Sequence, residues 1–246
     1  MASSLDLQEQ EQLDQLKAFW NRWGNLLTWM VTAVLLAFAA YNGWNWWQRE
    51  QGQKASALHA ELERAAQAGE TERVKAAWAD LKARYASTAY AAPAALVAAK
   101  ALIDKGLAAD AVEPLQWAAE SAHDDGLKAV ARLRWAGVLL DQGLAQEALT
   151  ILDKARGLGF DALVDDRRGD ALVALKKDDE AREAFKAAYK AMPLDLDYRR
   201  LLEAKLMALG VDPASVVPPP AADAPNGGKP SAAARVPADQ RDQEFA

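Results

Sequence analysis

Arg167–Pro193 reads RRGDALVALKKDDEAREAFKAAYKAMP, and the order of small and large apolar residues in it decides the fold. Gly169, Leu172, Ala181, Phe185, Ala188 and Pro193 follow one another at spacings of 3, 9, 4, 3 and 5. Spacings of three and four place side chains on one face of an α-helix, and the longer gap spans the polar turn Lys176–Asp179. The stretch therefore predicts two helices folded against each other. Small residues on both let the helices approach closely, and Leu172 and Phe185 fill the space above them. The same levels recur 33 residues upstream as Ala136, Leu139, Ala148, Leu152 and Ala155, and a further 37 residues upstream as Ala99, Leu102, Ala111, Leu115 and Ala118. A single hairpin cannot bury both of its faces, so successive hairpins must stack.

Outward from these units the composition stays rich in Ala, Leu, Glu, Lys and Arg, with no alternating strand pattern, which predicts an all-α domain. Breaks are expected at Gly69, between Ser87 and Pro93, at Gly106, from His123 to Gly126, at Gly143, from Gly157 to Gly159, from Lys176 to Asp179, at Pro193 and at Gly210. The segment KASALHAELERAAQAGETERVKAAWADLKARY, Lys54–Tyr85, reads as a more divergent hairpin around Gly69. A lone helix from Asp197 to Leu209 is placed to cap the last repeat.

A second feature lies upstream. Between Arg22 and Arg49 there are 26 residues without a charge, and Leu26–Tyr41 is almost wholly apolar. About 20 helical residues cross a hydrocarbon core. Trp20, Trp23 and Trp29 lie near one end, and Tyr41, Trp44, Trp46 and Trp47 near the other, as interfacial aromatics do. The polar start and bulky far end argue against a cleaved leader. Lys17 and Arg22 before the span balance Arg49 and Lys54 after it, so charge leaves the orientation open. Ala33, Ala37 and Ala40 form a small-residue face suited to packing against another membrane helix. The expected organisation is an amino-terminal segment (residues 1–22), a transmembrane anchor (23–48), a helical domain (49–212) and a Pro- and Ala-rich tail (213–246) whose composition predicts disorder.

The net charge of −6 carries no basic nucleic-acid footprint, and the absence of cysteine excludes disulfides, thiolate metal sites and cysteine nucleophiles. His59 and His123 fall in different hairpins with no third ligand at a helical spacing. The acidic pairs Asp124–Asp125, Asp165–Asp166 and Asp178–Asp179 sit in turns or at helix starts, where carboxylates favour the helix dipole. The glycine turns lack the lysine and hydroxyl residues of a phosphate loop. No enzyme, cofactor or metal is expected.

Gly169, Ala181, Phe185, Ala188 and Pro193 resemble the tetratricopeptide signature, which implies a short α-solenoid of antiparallel helix hairpins behind a single transmembrane helix. In such hairpins positions 2, 5, 9 and 12 of the first helix line a concave groove. Here they are Pro93, Leu96, Lys100 and Ile103; Val130, Leu133, Gly137 and Leu140; and Leu163, Asp166, Asp170 and Val173. The candidate protein-binding groove thus comprises Leu96, Lys100, Ile103, Leu133, Leu140, Asp166, Asp170 and Val173, grading from apolar to acidic. Burial of several of these leucines against a neighbouring repeat is the competing reading.

The whole arrangement, from KAFWNRWGNLLTWMVTAVLLAFAAYNGWNWWQREQGQKAS through YAAPAALVAAKALIDKGLAADAVEPLQWA, resembles the YfgM-like family of bacterial inner-membrane proteins over roughly residues 5 to 212. The resemblance implies a non-enzymatic ancillary subunit of the SecYEG translocon. It also implies a PpiD-like membrane-anchored chaperone and exported client proteins as partners, a cytoplasmic amino terminus and a periplasmic helical domain. The alternative is an envelope scaffold or stress-response regulator that holds one partner near the membrane.

Overall fold

The computed structural model describes residues 7–193 and 196–216, which form ten helices joined by short turns. They are α1 (Leu7–Ala68), α2 (Thr71–Tyr85), α3 (Ala91–Asp104), α4 (Ala108–Ser121), α5 (Asp125–Asp141), α6 (Ala145–Asp153), α7 (Asp161–Ala174), α8 (Asp178–Ala191), α9 (Tyr198–Ala208) and α10 (Pro213–Val216). The expected breaks fall between helices or in a first helical turn: Asp125 and Gly126 open α5, Asp178 and Asp179 open α8, and Pro93 sits in the first turn of α3, where its missing N–H costs no helical bond.

Four hairpins pair α1 with α2, α3 with α4, α5 with α6 and α7 with α8. Each second helix packs on the next hairpin, and the first helices also touch in a row, α1 to α3, α3 to α5 and α5 to α7. The turns within the hairpins are built alike. Gly69, Gly106 and Gly143 have φ of +72°, +75° and +78°, and the residue after each donates its N–H to a carbonyl five residues back. That left-handed closure favours glycine. In the last hairpin Lys176 takes this position at φ +59°, and Lys177 N–H makes the matching bond to the Leu172 carbonyl.

The residues that defined the repeat are the core. Ala99, Ala111, Leu115, Ala118, Ala136, Ala148, Leu152, Ala155, Ala181 and Ala188 are fully buried, and Leu102, Leu139, Leu172 and Phe185 nearly so. The divergent hairpin keeps the register: Leu62, Ala65, Val74, Trp78 and Leu81, each 37 residues before its counterpart, are all buried. At the end of the stack, α9 buries Leu202 and Leu206 against α8. Arg199 donates to the Tyr189 and Met192 carbonyls at 2.9 Å and lies over the Tyr189 ring, placing a cation at the α8 carboxy terminus.

The long first helix has two characters. From Leu26 to Trp47 its large apolar side chains face outward with no protein cover; Leu36, Phe38 and Trp46 are at least 66% exposed. So much bare apolar surface is stable only in lipid. Thr28, Thr32 and Asn42 return their side-chain donors to the Gly24, Thr28 and Phe38 carbonyls at 2.8 Å, which satisfies them inside the helix. Beyond Arg49 the same helix, unbroken, becomes the first helix of the first hairpin, with Ala55 already fully buried. The boundary expected between residues 48 and 49 therefore lies inside a helix. The tail expected from residue 213 begins with α10, whose Val216 packs on the last hairpin; its remainder, 217–246, lies outside the described residues.

Candidate protein-binding groove

The row of first helices opens a groove of about 390 Å³ between α3, α5 and α7, bounded at one end by Tyr198 of α9. Ile103, Leu133 and Leu163, half-buried, give it an apolar floor, and Gly137 keeps the middle shallow. Arg134, Asp141 and Arg167 supply its charges, and Asp166 lies at its acidic end.

The groove brings together three of the expected residues, Ile103, Leu133 and Asp166, and leaves the others elsewhere. Leu96 is 7% exposed within the core beneath α3, and Lys100 is exposed and paired with Asp104 at 2.5 Å. Leu140 packs half-buried between the last two hairpins, Asp170 is turned to α9, and Val173 is exposed beyond the groove. Leu96 is inside because α3 is nearly all apolar and is enclosed by its neighbours on most of its circumference.

The acidic end is closed internally. Asp166 is only 1% exposed, and its carboxylate accepts from the Tyr198 hydroxyl at 2.6 Å and from Lys205 Nζ at 2.7 Å. Lys205 also lies 2.7 Å from Asp170 and above the Phe185 ring. Burial pushes the Asp170 carboxyl above its ordinary value, with Lys205 pulling the other way. Burial and the neighbouring Asp166 carboxylate push the Tyr198 phenol well above the usual range. One cation shared by two carboxylates offers a basic ligand little. Sequence reasoning passed over Arg134 and Arg167, although their shared repeat position, 33 residues apart and directly after Leu133 and Asp166, was there to be read. Lys205 and Tyr198 gave no such signal, because they belong to a helix outside the repeat.

A larger cleft of about 660 Å³ lies on the other side, between α2 and α4. Charged pairs lace its rim: Trp78 Nε1 donates to Glu113 at 2.6 Å, Lys82 pairs with the same carboxylate, and Lys75 meets Asp110 at 2.6 Å. Ala33, Ala37 and Ala40 lie on the exposed membrane stretch of α1. Among the described residues no group of three or more His, Asp or Glu could hold a metal ion. His59 sits beside Glu63 and the edge of Tyr90, and the acidic pairs cap helices or meet arginines: Asp124 accepts from the Leu127 N–H, and Asp165 pairs with Arg156. Nothing in this set forms a nucleophile, an acid–base pair or a metal centre.

A family model described as a tetratricopeptide repeat-like domain matches residues 17–211. An ancillary SecYEG translocon subunit of Neisseria gonorrhoeae is 31% identical over 207 residues, covering 82% of this chain and 98% of the relative. Its counterpart in Escherichia coli is 31% identical over 186 residues, 74% of this chain and 88% of the relative, and that of Haemophilus influenzae 28% over 188 residues, 75% and 90%. With an uncovered apolar helix leading into stacked hairpins, the chain is a membrane-associated protein that belongs to the YfgM-like family of ancillary SecYEG translocon subunits.

Proposed function

We propose that this protein is an ancillary subunit of the SecYEG translocon that meets its partners through the groove between α3, α5 and α7. Its hairpins form a short tetratricopeptide-like solenoid with that groove on the concave face, standing on the periplasmic side of the inner membrane with the amino terminus in the cytoplasm. A PpiD-like membrane-anchored chaperone and newly exported proteins are the partners to which it links the channel. The observation that carries the reading is the unbroken run of α1 from the membrane stretch into the first hairpin. The first buried side chain, Ala55, lies only six helical steps, about 9 Å, beyond Arg49, so the groove is held close to the bilayer surface. An apolar floor of half-buried side chains suits a helical or unfolded segment of a partner. Ala33, Ala37 and Ala40 present a face on which a membrane helix of the channel or the chaperone can pack.

Photoreactive residues at Ile103 and Leu133, in membranes engaged in export, test this. Adducts to the channel, to the chaperone and to translocating chains are expected. Adducts to one unrelated envelope protein alone, with none to the channel, would reject the reading in favour of a scaffold or a stress-response regulator. Replacing Ala33, Ala37 and Ala40 by leucine is expected to reduce recovery of the channel with the protein in mild detergent; unchanged recovery would remove the helix-packing role.

A further inference from the structure

Two guanidinium groups stand over the apolar floor of the groove with little to bind. Arg134 and Arg167 occupy the same position in successive hairpins and line the same groove. Arg134 is exposed and donates to the Leu96 carbonyl at 3.2 Å, and among the described residues it has no carboxylate partner. Arg167 lies 3.8 Å from Asp170, a carboxylate that Lys205 already holds at 2.7 Å. Asp166 accepts from that same Lys205 and from Tyr198, so one ammonium serves both carboxylates, and Asp141 is the other acid of the lining. The groove is therefore apolar below, with two guanidiniums at its side that have no carboxylate within hydrogen-bond distance among the described residues, a site for a segment that carries carboxylates next to an apolar side chain.

The chain carries such a segment. Pro237–Phe245 reads PADQRDQEF, with Asp239, Asp242 and Glu244 against Arg241 and with Phe245 beside Glu244. In an extended backbone Asp242 and Glu244 project to one side and Phe245 to the other, so two carboxylates can meet the arginines while the ring turns to the floor. The segment lies within reach. The 30 residues 217–246 follow α10, which packs on α8 and α9, and α9 itself bounds the groove through Tyr198. A helix of 11 residues spans about 16 Å, whereas the stretch from Val217 to Asp242 can extend to about 85 Å. This tail lies beyond the residues matched by the family model.

We infer that the acidic carboxy-terminal segment around Asp242, Glu244 and Phe245 occupies the α3/α5/α7 groove of its own chain, over Arg134 and Arg167, and competes there with partner segments. The inference rests on the groove being the partner-binding surface. Tethering makes the competitor intramolecular, so a weak contact suffices to raise the apparent dissociation constant of a partner.

The test uses the full-length protein in detergent micelles, with p-benzoylphenylalanine in place of Leu133. Irradiation is expected to link position 133 to the peptide containing Phe245 within one chain. The double change Asp242→Arg and Glu244→Arg, which alters no described contact, is expected to lower that link at least fivefold. Adding Arg134→Glu and Arg167→Glu is expected to restore at least half of it. In export-active membranes, truncation after Val216 is expected to raise partner adducts at position 133 severalfold. No link, a link indifferent to the tail charges, or one formed only between two differently labelled copies would overturn the inference. The reading of the groove fails separately, if partner adducts at position 133 are missing both with and without the tail.

Discussion

The first and last hairpins occupy the same register and fill it in opposite ways. At the crossing of α1 and α2, a large residue, Leu62, faces another large one, Trp78, and both are buried. At the crossing of α7 and α8 the equivalent positions hold Gly169 and Phe185, and a Cβ placed on Gly169 would lie 2.4 to 2.6 Å from the phenyl ring. The two middle hairpins take the intermediate solution, Ala99 with Leu115 and Ala136 with Leu152. Along the last three hairpins the summed volume of the pair persists while its residues change, whereas the first hairpin sets two large residues at the same levels. Charge is also placed differently. The first hairpin keeps its ion pairs on the rim, at Lys75–Asp110 and Lys82–Glu113, whereas the last buries Asp166 beneath α9.

If complementary volume is what matters, emptying the last hairpin should have the largest effect. Phe185→Ala is expected to destabilise the domain by about 4 kcal/mol, because Gly169 offers nothing to collapse into the space. Denaturant unfolding of the full-length protein in micelles measures it, and a loss below about 1 kcal/mol would mean the crossing can repack. Gly169→Ala should cost about 2 to 3 kcal/mol by overpacking against the same ring. Combining it with Phe185→Leu converts the pair into that of the middle hairpins and should recover most of that loss. Simple additivity of the two changes would break the volume argument.

These pairs explain how much the sequence could tell. The register was legible because buried small residues at two levels leave the same trace in each hairpin, even where Gly169, Ala136 and Ala99 differ. The first hairpin was harder to read, since Leu62 and Trp78 are both large where the other hairpins pair a small residue with a large one. The unbroken passage of α1 from lipid to protein left no trace, because a helix that does not end needs neither cap nor glycine. The groove was half legible. Leu133 and Ile103 follow the repeat, but the fate of Asp166 is set by Lys205, 39 residues away on a helix outside it.

Smaller effects separate the two hairpins further. Trp78→Phe keeps most of the buried ring and removes the indole bond to Glu113, a carboxylate half-exposed and still paired with Lys82. A loss of about 1 kcal/mol is expected in the same unfolding measurement. At the turns the sign reverses. Gly69 has the freedom its left-handed backbone needs, whereas Lys176 holds a comparable φ with a side chain attached. Lys176→Gly should therefore stabilise the last hairpin by about 0.5 to 1 kcal/mol, seen as slower amide exchange in α7 and α8. Faster exchange would show that the lysine side chain contributes more than its backbone costs.

The smallest expected effect concerns the buried charge, and its sign follows from linkage. Burial raises the folded-state pKa of Asp170 above its ordinary 3.8, outweighing the pull of Lys205, so the folded protein holds that proton more tightly than the unfolded chain does. The stabilisation this gives is fully present below pH 3.8 and is lost as pH rises through the raised value. Asp170→Asn cannot titrate. Relative to the unsubstituted protein it should gain stability as pH is raised from acid to neutrality. Asp125 provides the opposite case, because Lys128 holds its carboxyl below the ordinary value. Asp125→Asn should therefore lose ground as pH rises through the carboxylate range. Unfolding curves of the three proteins across that range decide the matter. Parallel slopes for the two variants would mean that α9 neutralises Asp170 as completely as solvent would, and that the last hairpin carries this charge no differently from the exposed Asp125 of the third.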